Sequence, residues 1–389
     1  MFGKENTLEI SNFVSNVYLG MGLATILQLT IGSKLPIVQG SSFSFLTPIF
    51  AIITIITSQQ GSSYTIMQTF AGALIVGGLI ETIIGYSGLV GILKKFITPV
   101  VIGPTIMLIG FSLFDVAVSL NAAKYWPISL LVVAGIFIFS LLVKGKINLF
   151  PVLFSIILVY LLCLILSLTG KFTSEHPAYI SLQKVAQSNW FHLPGIFPYG
   201  APIFKLSAIF ALLAAFLASI LESIGDYHSV SFAAGLEAPS EKTINKGIGA
   251  EGLGCIINGI VGGTGTTSYT ENIGLINITK VASRYVVFIG AFVLIILSCF
   301  AKLGAIIATM PAPIIGGAYI SLFGVIGALG IQTVAKCDLT SQRNLMIIGF
   351  IFLIGLGVGK WMPEFYKTNP YYFGNSAIAK LIWDQHLWL

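Results

Sequence analysis

Six carboxylates fall within or at the edge of long apolar stretches: Glu81, Asp115, Glu222, Asp226, Glu251 and Glu271. A carboxylate at the centre of a bilayer costs about 2.5–3.5 kcal/mol on insertion scales, so those that persist usually face a cavity and handle protons or polar substrate. Glu222 and Asp226 are the sharpest pair. They stand four residues apart, which puts both on one face of a helix. Two acids that close in a low-dielectric site do not both ionise readily, so the pair is suited to exchanging a proton. His228 lies two residues past Asp226, points elsewhere and reads as an interfacial residue.

Glu271 sits in a Gly/Ser/Thr-rich interruption of an apolar span, residues 263–274. If the backbone is extended there, free amides and a carboxylate share one concave site. Amides bind carbonyl oxygens and carboxylates accept N–H donors, which suits a small planar heterocycle. A matching interruption at 38–48 carries Phe43, with an aromatic face for stacking and a backbone amide. Glu81, Asp115 and Glu251 have no evident partner in the sequence and read as structural. Cys163, Cys255, Cys299 and Cys337 are scattered, with no CxxC spacing. Neither a metal-binding histidine cluster nor a Ser/His constellation is present, so no metal, no cofactor and no enzymatic activity are expected. Gly262, Gly263 and Gly265 are not followed by Lys-Ser/Thr, which excludes a P-loop.

The elements that hold these residues must be membrane spans. The 389 residues include 20 Lys+Arg and 14 Asp+Glu, only 9% charged, against 56% apolar and a mean hydropathy of +0.94. Soluble domains carry about 25% charged residues. A water-soluble chain of this length could not cover its surface, which excludes a soluble enzyme, a nucleic-acid binder and a disordered chain. A span takes about 20 apolar residues. Long apolar stretches recur at 11–32, 69–93, 98–120, 126–143, 149–169, 206–221, 285–301, 314–334 and 344–359, with 37–58 and 247–279 apolar but broken. Counting each break as a helix plus a short extended piece predicts about twelve passes.

Eleven basic residues cluster in six alternate short loops, from Lys34 through Lys94 and Lys95 to Lys336 and Arg343. Those loops are assigned to the cytoplasm and residue 1 to the outside. Each broken segment is followed, after one further span, by a Pro/Gly-rich helix start, at 97–104 and 310–317. Irregular backbone survives at membrane depth only where it lines a cavity. A pair of interrupted segments in corresponding halves points to an inverted-repeat transporter with a midplane site.

Glu271-Asn272-Ile273-Gly274, four further residues and Thr279-Lys280 resemble the signature of the nucleobase–ascorbate transporter family, which includes uracil and xanthine permeases. That signature reads Gln/Glu/Pro-Asn-x-Gly-x4-Thr-Arg/Lys/Gly. The stretches Gln39 to Phe43, Glu222 to Asp226 and Pro311 to Gly317 are similar to further family motifs. The resemblance implies an all-α polytopic membrane protein. Its two inverted repeats of seven segments carry two short extended strands at the midplane, and the first and last segments are missing or truncated here. Within one transport domain, 1–389, it implies a core domain over 10–95 and 205–304. It further implies a gate domain over 96–170 and 309–389 and an extracytoplasmic loop at 171–204.

By the same resemblance, Glu222 holds the base, and Glu271 is a second substrate-binding glutamate. Backbone amides near Tyr269, Thr270 and Glu271 contribute, and the backbone of Phe43 meets the base. Tyr319 and Phe323 face the site from the gate. Asp226 takes the place of a histidine linked to proton coupling in uracil permeases. Glu at 271 resembles uracil permeases, whereas the stretch from Glu222 to Asp226 resembles purine and ascorbate branches. The implied function is proton symport of a uracil- or xanthine-type nucleobase across the plasma or inner membrane, with no nucleic-acid partner. A homodimer is an admissible assembly. The alternative is an anion exchanger of the sulfate/bicarbonate type, which shares the architecture; acids at the site oppose it.

Overall fold

The computed structural model describes residues 7–91 and 98–358. In chain order come α1 (Thr7–Thr30), β1 (Gln39–Ser41), α2 (Leu46–Ser58) and α3 (Ser63–Ser87). There follow α4 (Pro99–Ser112), α5 (Trp126–Phe137), α6 (Pro151–Leu168), α7 (Leu206–Ala233) and α8 (Glu241–Val261). The last elements are β2 (Thr266–Ser268), α9 (Thr270–Thr279), α10 (Arg284–Ser298), α11 (Ala301–Ala308), α12 (Ala312–Val334) and α13 (Gln342–Phe352). Lys94, Lys95 and the stretch 359–389 lie outside the described residues.

Among the described residues, six helices are long and apolar enough to cross a membrane by themselves, and further predicted passes are broken or shorter. α10 and α11 form one apolar run bent by 81°, and three further apolar helices are shorter than a full span. α8 is long but rich in glycine, with Lys246 and Glu251 inside it, so it depends on neighbours rather than on lipid. α7 runs past the predicted end at 221 to Ala233, carrying Glu222 and Asp226 within its helical ladder.

α8 packs along α3, α1 against α8 and α10, and α7 against α3. Elsewhere α12 packs against α4 and α5, α5 against α6, and α13 against α4. The α3–α8 contact is nearly backbone to backbone. A Cβ added at Gly78 would lie 2.7 Å from the Gly252 carbonyl oxygen, which accounts for small residues on that seam. Large apolar side chains stand outward, Leu142 at 74% and Tyr285 at 72% exposure among them, as expected of a lipid-facing surface.

Candidate functional site

The two interrupted segments meet. β1 and β2 pair antiparallel, with Gln39 opposite Ser268, Gly40 opposite Thr267 and Ser41 opposite Thr266. Neither three-residue strand can satisfy its backbone alone in the buried interior, so each supplies the other's partners. The Ser42 N–H extends the ladder to the Gly265 carbonyl (3.1 Å), and Gln39 Nε2 donates to Ser268 Oγ (3.0 Å). The Gln39 N–H is taken by Thr25 Oγ1 on α1 (3.0 Å).

Each strand opens directly into a helix start. A 3-10 turn at Phe43–Phe45 leads into α2, and Thr270 begins α9. The first N–H groups of a helix have no intrahelical partner, and the dipole makes that end partly positive. Two such ends therefore flank the strand pair. Tyr269 is committed to holding it: its N–H donates to the Val38 carbonyl (3.0 Å) and its hydroxyl to the Ser41 carbonyl (3.3 Å). Its ring lies over Gly40, where a Cβ would fall 2.1 Å from Tyr269 Cζ; only glycine admits the ring there.

Three aromatic rings pack together at the start of α2. The Phe43 ring stands edge-on to Phe323 (centroids 5.2 Å) and to Tyr319 (6.3 Å), while Tyr319 and Phe323 stack at 5.1 Å. Thus α12 brings its aromatic residues to the start of the first broken helix, as ridge-and-edge aromatic packing favours.

Asp226 is buried on α7 and accepts from the Thr270 hydroxyl, at 3.0 Å on Oδ1 and 3.1 Å on Oδ2. Glu222, one turn earlier, is half-buried rather than fully enclosed. The backbone of Glu271 lies in the first turn of α9, adjoining Thr270; its side chain lies outside what the structure describes. Asn272 Nδ2 donates to the Pro36 carbonyl (2.8 Å), tying α9 to the chain before β1. The rest of the signature serves the helix end. Thr279 Oγ1 donates to the Leu275 carbonyl (2.7 Å), and Lys280 caps α9 at a positive φ of 59°. Nothing stands within 4 Å of a Cβ built on Gly274.

Sequence reasoning did not find the polar layer behind β2. Ser219, Ser223 and Tyr227 recur at four-residue spacing along α7, and together with Thr267 they donate to Glu251. The signal was present as a polar stripe on an apolar helix. His228 is half-buried, and Asp115 is exposed and accepts from Ser119 Oγ (3.2 Å).

A family model described as the permease family matches residues 1–364. The chain is similar to solute carrier family 23 member 2 of Mus musculus, 33% identical over 96% of this chain and 63% of that protein. It is also similar to nucleobase-ascorbate transporter 11 of Arabidopsis thaliana, 30% identical over 92% of this chain and 55% of that protein. The chain thus spans less than two thirds of the length of these relatives. Among solved structures, the transmembrane domain of the cyanobacterial bicarbonate transporter BicA matches with a TM-score of 0.58 at 16% identity, covering 92% of this chain and 97% of that one. The structure of SLC26A9 matches with a TM-score of 0.61 at 10% identity, covering 91% of this chain and 62% of that one. At these identities the structural likeness concerns the fold, that of inverted-repeat transporters.

Proposed function

The chain belongs to the permease family, as a multi-pass helical membrane protein, and from that premise we propose that it transports a nucleobase by proton symport. The observation that carries this reading is the strand pair between two helix starts, with Asp226 fixed to Thr270 at its edge and Phe43 held by Tyr319 and Phe323 at the other. Amide donors, carboxylates and an aromatic face are the three things a planar base with both N–H and C=O edges needs. Glu222 and Glu271 are the proposed carboxylates for the base, with the amides around Thr270. The helices that carry the strands are the proposed core, and α4 to α6 with α12 and α13 the proposed gate.

Uracil and xanthine are the bases favoured, and transport rather than catalysis is the activity. Asp226 is the proposed site of the proton taken from outside and released with the base, across the cell's plasma or inner membrane. The bicarbonate transporter with this fold supports only the architecture, and carboxylates at the site disfavour an anion. The test is competition of labelled uracil uptake by xanthine, hypoxanthine, urate and ascorbate. Strong competition by one base class with none by sulfate or bicarbonate is expected; sulfate- or bicarbonate-dependent flux without base uptake would overturn the reading.

A further inference from the structure

A second carboxyl pair lies behind the strands and is not used by the site above. Glu251 on α8 is fully buried and accepts four hydroxyl hydrogen bonds: from Ser219 and Ser223 at 2.5 Å each, Thr267 at 3.0 Å and Tyr227 at 3.3 Å. Four hydroxyls that can all donate suit an ionised carboxylate. Glu81 on α3 is 1% exposed, and neither of its carboxyl oxygens has a hydrogen-bond partner among the described residues.

The two acids sit at one level of the α3–α8 seam. A Cβ on Gly252, next to Glu251, would lie 2.5 Å from the Gly78 carbonyl oxygen and 2.5 Å from the backbone N of Thr82, next to Glu81. Among the described residues, the other buried titratable groups on the helices packed against α3 are Asp226 and Tyr227 on α7 and Cys255 on α8; α2 carries none. All of these are acids, and Lys242 and Lys246 on α8 are exposed, so no buried group balances a negative charge. A bare carboxylate beside a second, ionised one in a dry seam is uncompensated, and a proton on Glu81 removes the conflict. Environments that differ this sharply divide a carboxyl pair into one acid and one anion.

We propose that Glu81 and Glu251 retain a single proton between them, carried on Glu81, and that this proton sets the affinity of the strand pair for its base. The link is short. Glu251 holds the Thr267 hydroxyl in the middle of β2, and the Ser268 N–H donates to Ser223 Oγ (3.4 Å), itself a donor to Glu251. A second charge at Glu81 sets Glu251 against its neighbour and loosens the seat of β2 opposite Gly40. The retained proton stays with the protein and is distinct from the one exchanged through Asp226. Its effect on base affinity rests on the nucleobase reading; its presence does not.

The first arm of the test therefore uses no base. A free glutamate ionises near pH 4.3, whereas the folded protein keeps its proton above that. The folded state then binds more protons than the unfolded state, so stability falls as pH rises, by up to about tenfold in the folded-to-unfolded ratio per pH unit until Glu81 ionises. Melting of the detergent-purified protein from about pH 5 to about pH 9 reads this slope. Glu81→Gln removes the Glu81 share of the slope and Glu81→Asp keeps it. Infrared spectra of the wild-type protein near neutral pH show a protonated-carboxyl band that Glu81→Gln lacks. If Glu81→Gln does not fold, Glu81→Asp decides: a protonated-carboxyl band that shifts in Glu81→Asp belongs to position 81, and one that does not shift belongs to another acid. Absence of the band, or an unchanged slope in Glu81→Gln, overturns the retained proton.

The second arm follows binding of labelled uracil and xanthine against pH. Both proteins keep the Asp226 dependence, so the Glu81 effect is the difference: wild type loses about tenfold more affinity toward the alkaline end than Glu81→Gln does. Curves that fall together overturn the link to binding. If wild type binds neither base, that counts against the nucleobase reading, and the first arm still decides the proton.

Discussion

Thr270 and Asp226 join two elements across the site: the hydroxyl that opens α9 donates to both carboxylate oxygens on α7, at 3.0 and 3.1 Å. The bond fixes the start of the second broken helix relative to the helix that carries Glu222. It also means that the charge on Asp226 is felt at the helix start where the base is proposed to dock.

Thr270→Val removes that donor and keeps the shape. Loss of a hydrogen bond to a buried charged group costs about 1.5–3 kcal/mol, so base affinity should fall by tenfold or more. Thr270→Ser should restore it. Counterflow of labelled base measures the difference, and wild-type counterflow in Thr270→Val would show that the bond does not shape the site.

Asp226→Asn tests coupling. The amide still accepts from Thr270 but cannot exchange a proton. The variant should exchange base passively, while its accumulation no longer responds to an imposed pH gradient. Accumulation that remains pH-driven moves coupling elsewhere, with Glu222 the next candidate.

Glu222→Gln replaces an acceptor-only carboxylate by a mixed amide of the same shape. A site that hydrogen-bonds its substrate is unforgiving of a mismatched partner. Uptake should be lost with the protein still inserted in the membrane, as surface labelling or purification yield would report. Near-normal uptake removes Glu222 from the site.

Two glycines make a steric contrast. Gly40→Ala drives a methyl into the Tyr269 ring, whereas Gly274→Ala enters open space. Overpacking costs about 1–3 kcal/mol. Uptake should drop sharply in the first and stay near normal in the second; equal behaviour would mean that the Tyr269 clamp over β1 is dispensable.

The paired breaks were legible because Gly, Ser and Thr interrupt otherwise apolar spans, and only a shared cavity tolerates that. The resemblance implies only that the Phe43 backbone, and Tyr319 and Phe323 from the gate, face the site; their ring contacts were not legible, since 28 phenylalanines offer no local signal. The Thr270–Asp226 bond was not legible, because it spans 44 residues and depends on how α9 leaves β2. The bend between α10 and α11 was hidden in a continuous apolar run. Glu81 and Glu251 looked alike in sequence, as single acids among small residues. Their difference is one of partners, four hydroxyls against none among the described residues, which only the packing of α3, α7 and α8 decides.

The most direct measurement of the central claim is accumulation of labelled uracil and xanthine in proteoliposomes with an inwardly directed proton gradient. One proton per neutral base sustains about tenfold accumulation per pH unit, since each 1.4 kcal/mol is a factor of ten. The account predicts accumulation above equilibrium for at least one of the two bases, collapsing on addition of a protonophore and absent from Glu222→Gln. Accumulation of neither base, under a gradient that the same vesicles demonstrably hold, would contradict it.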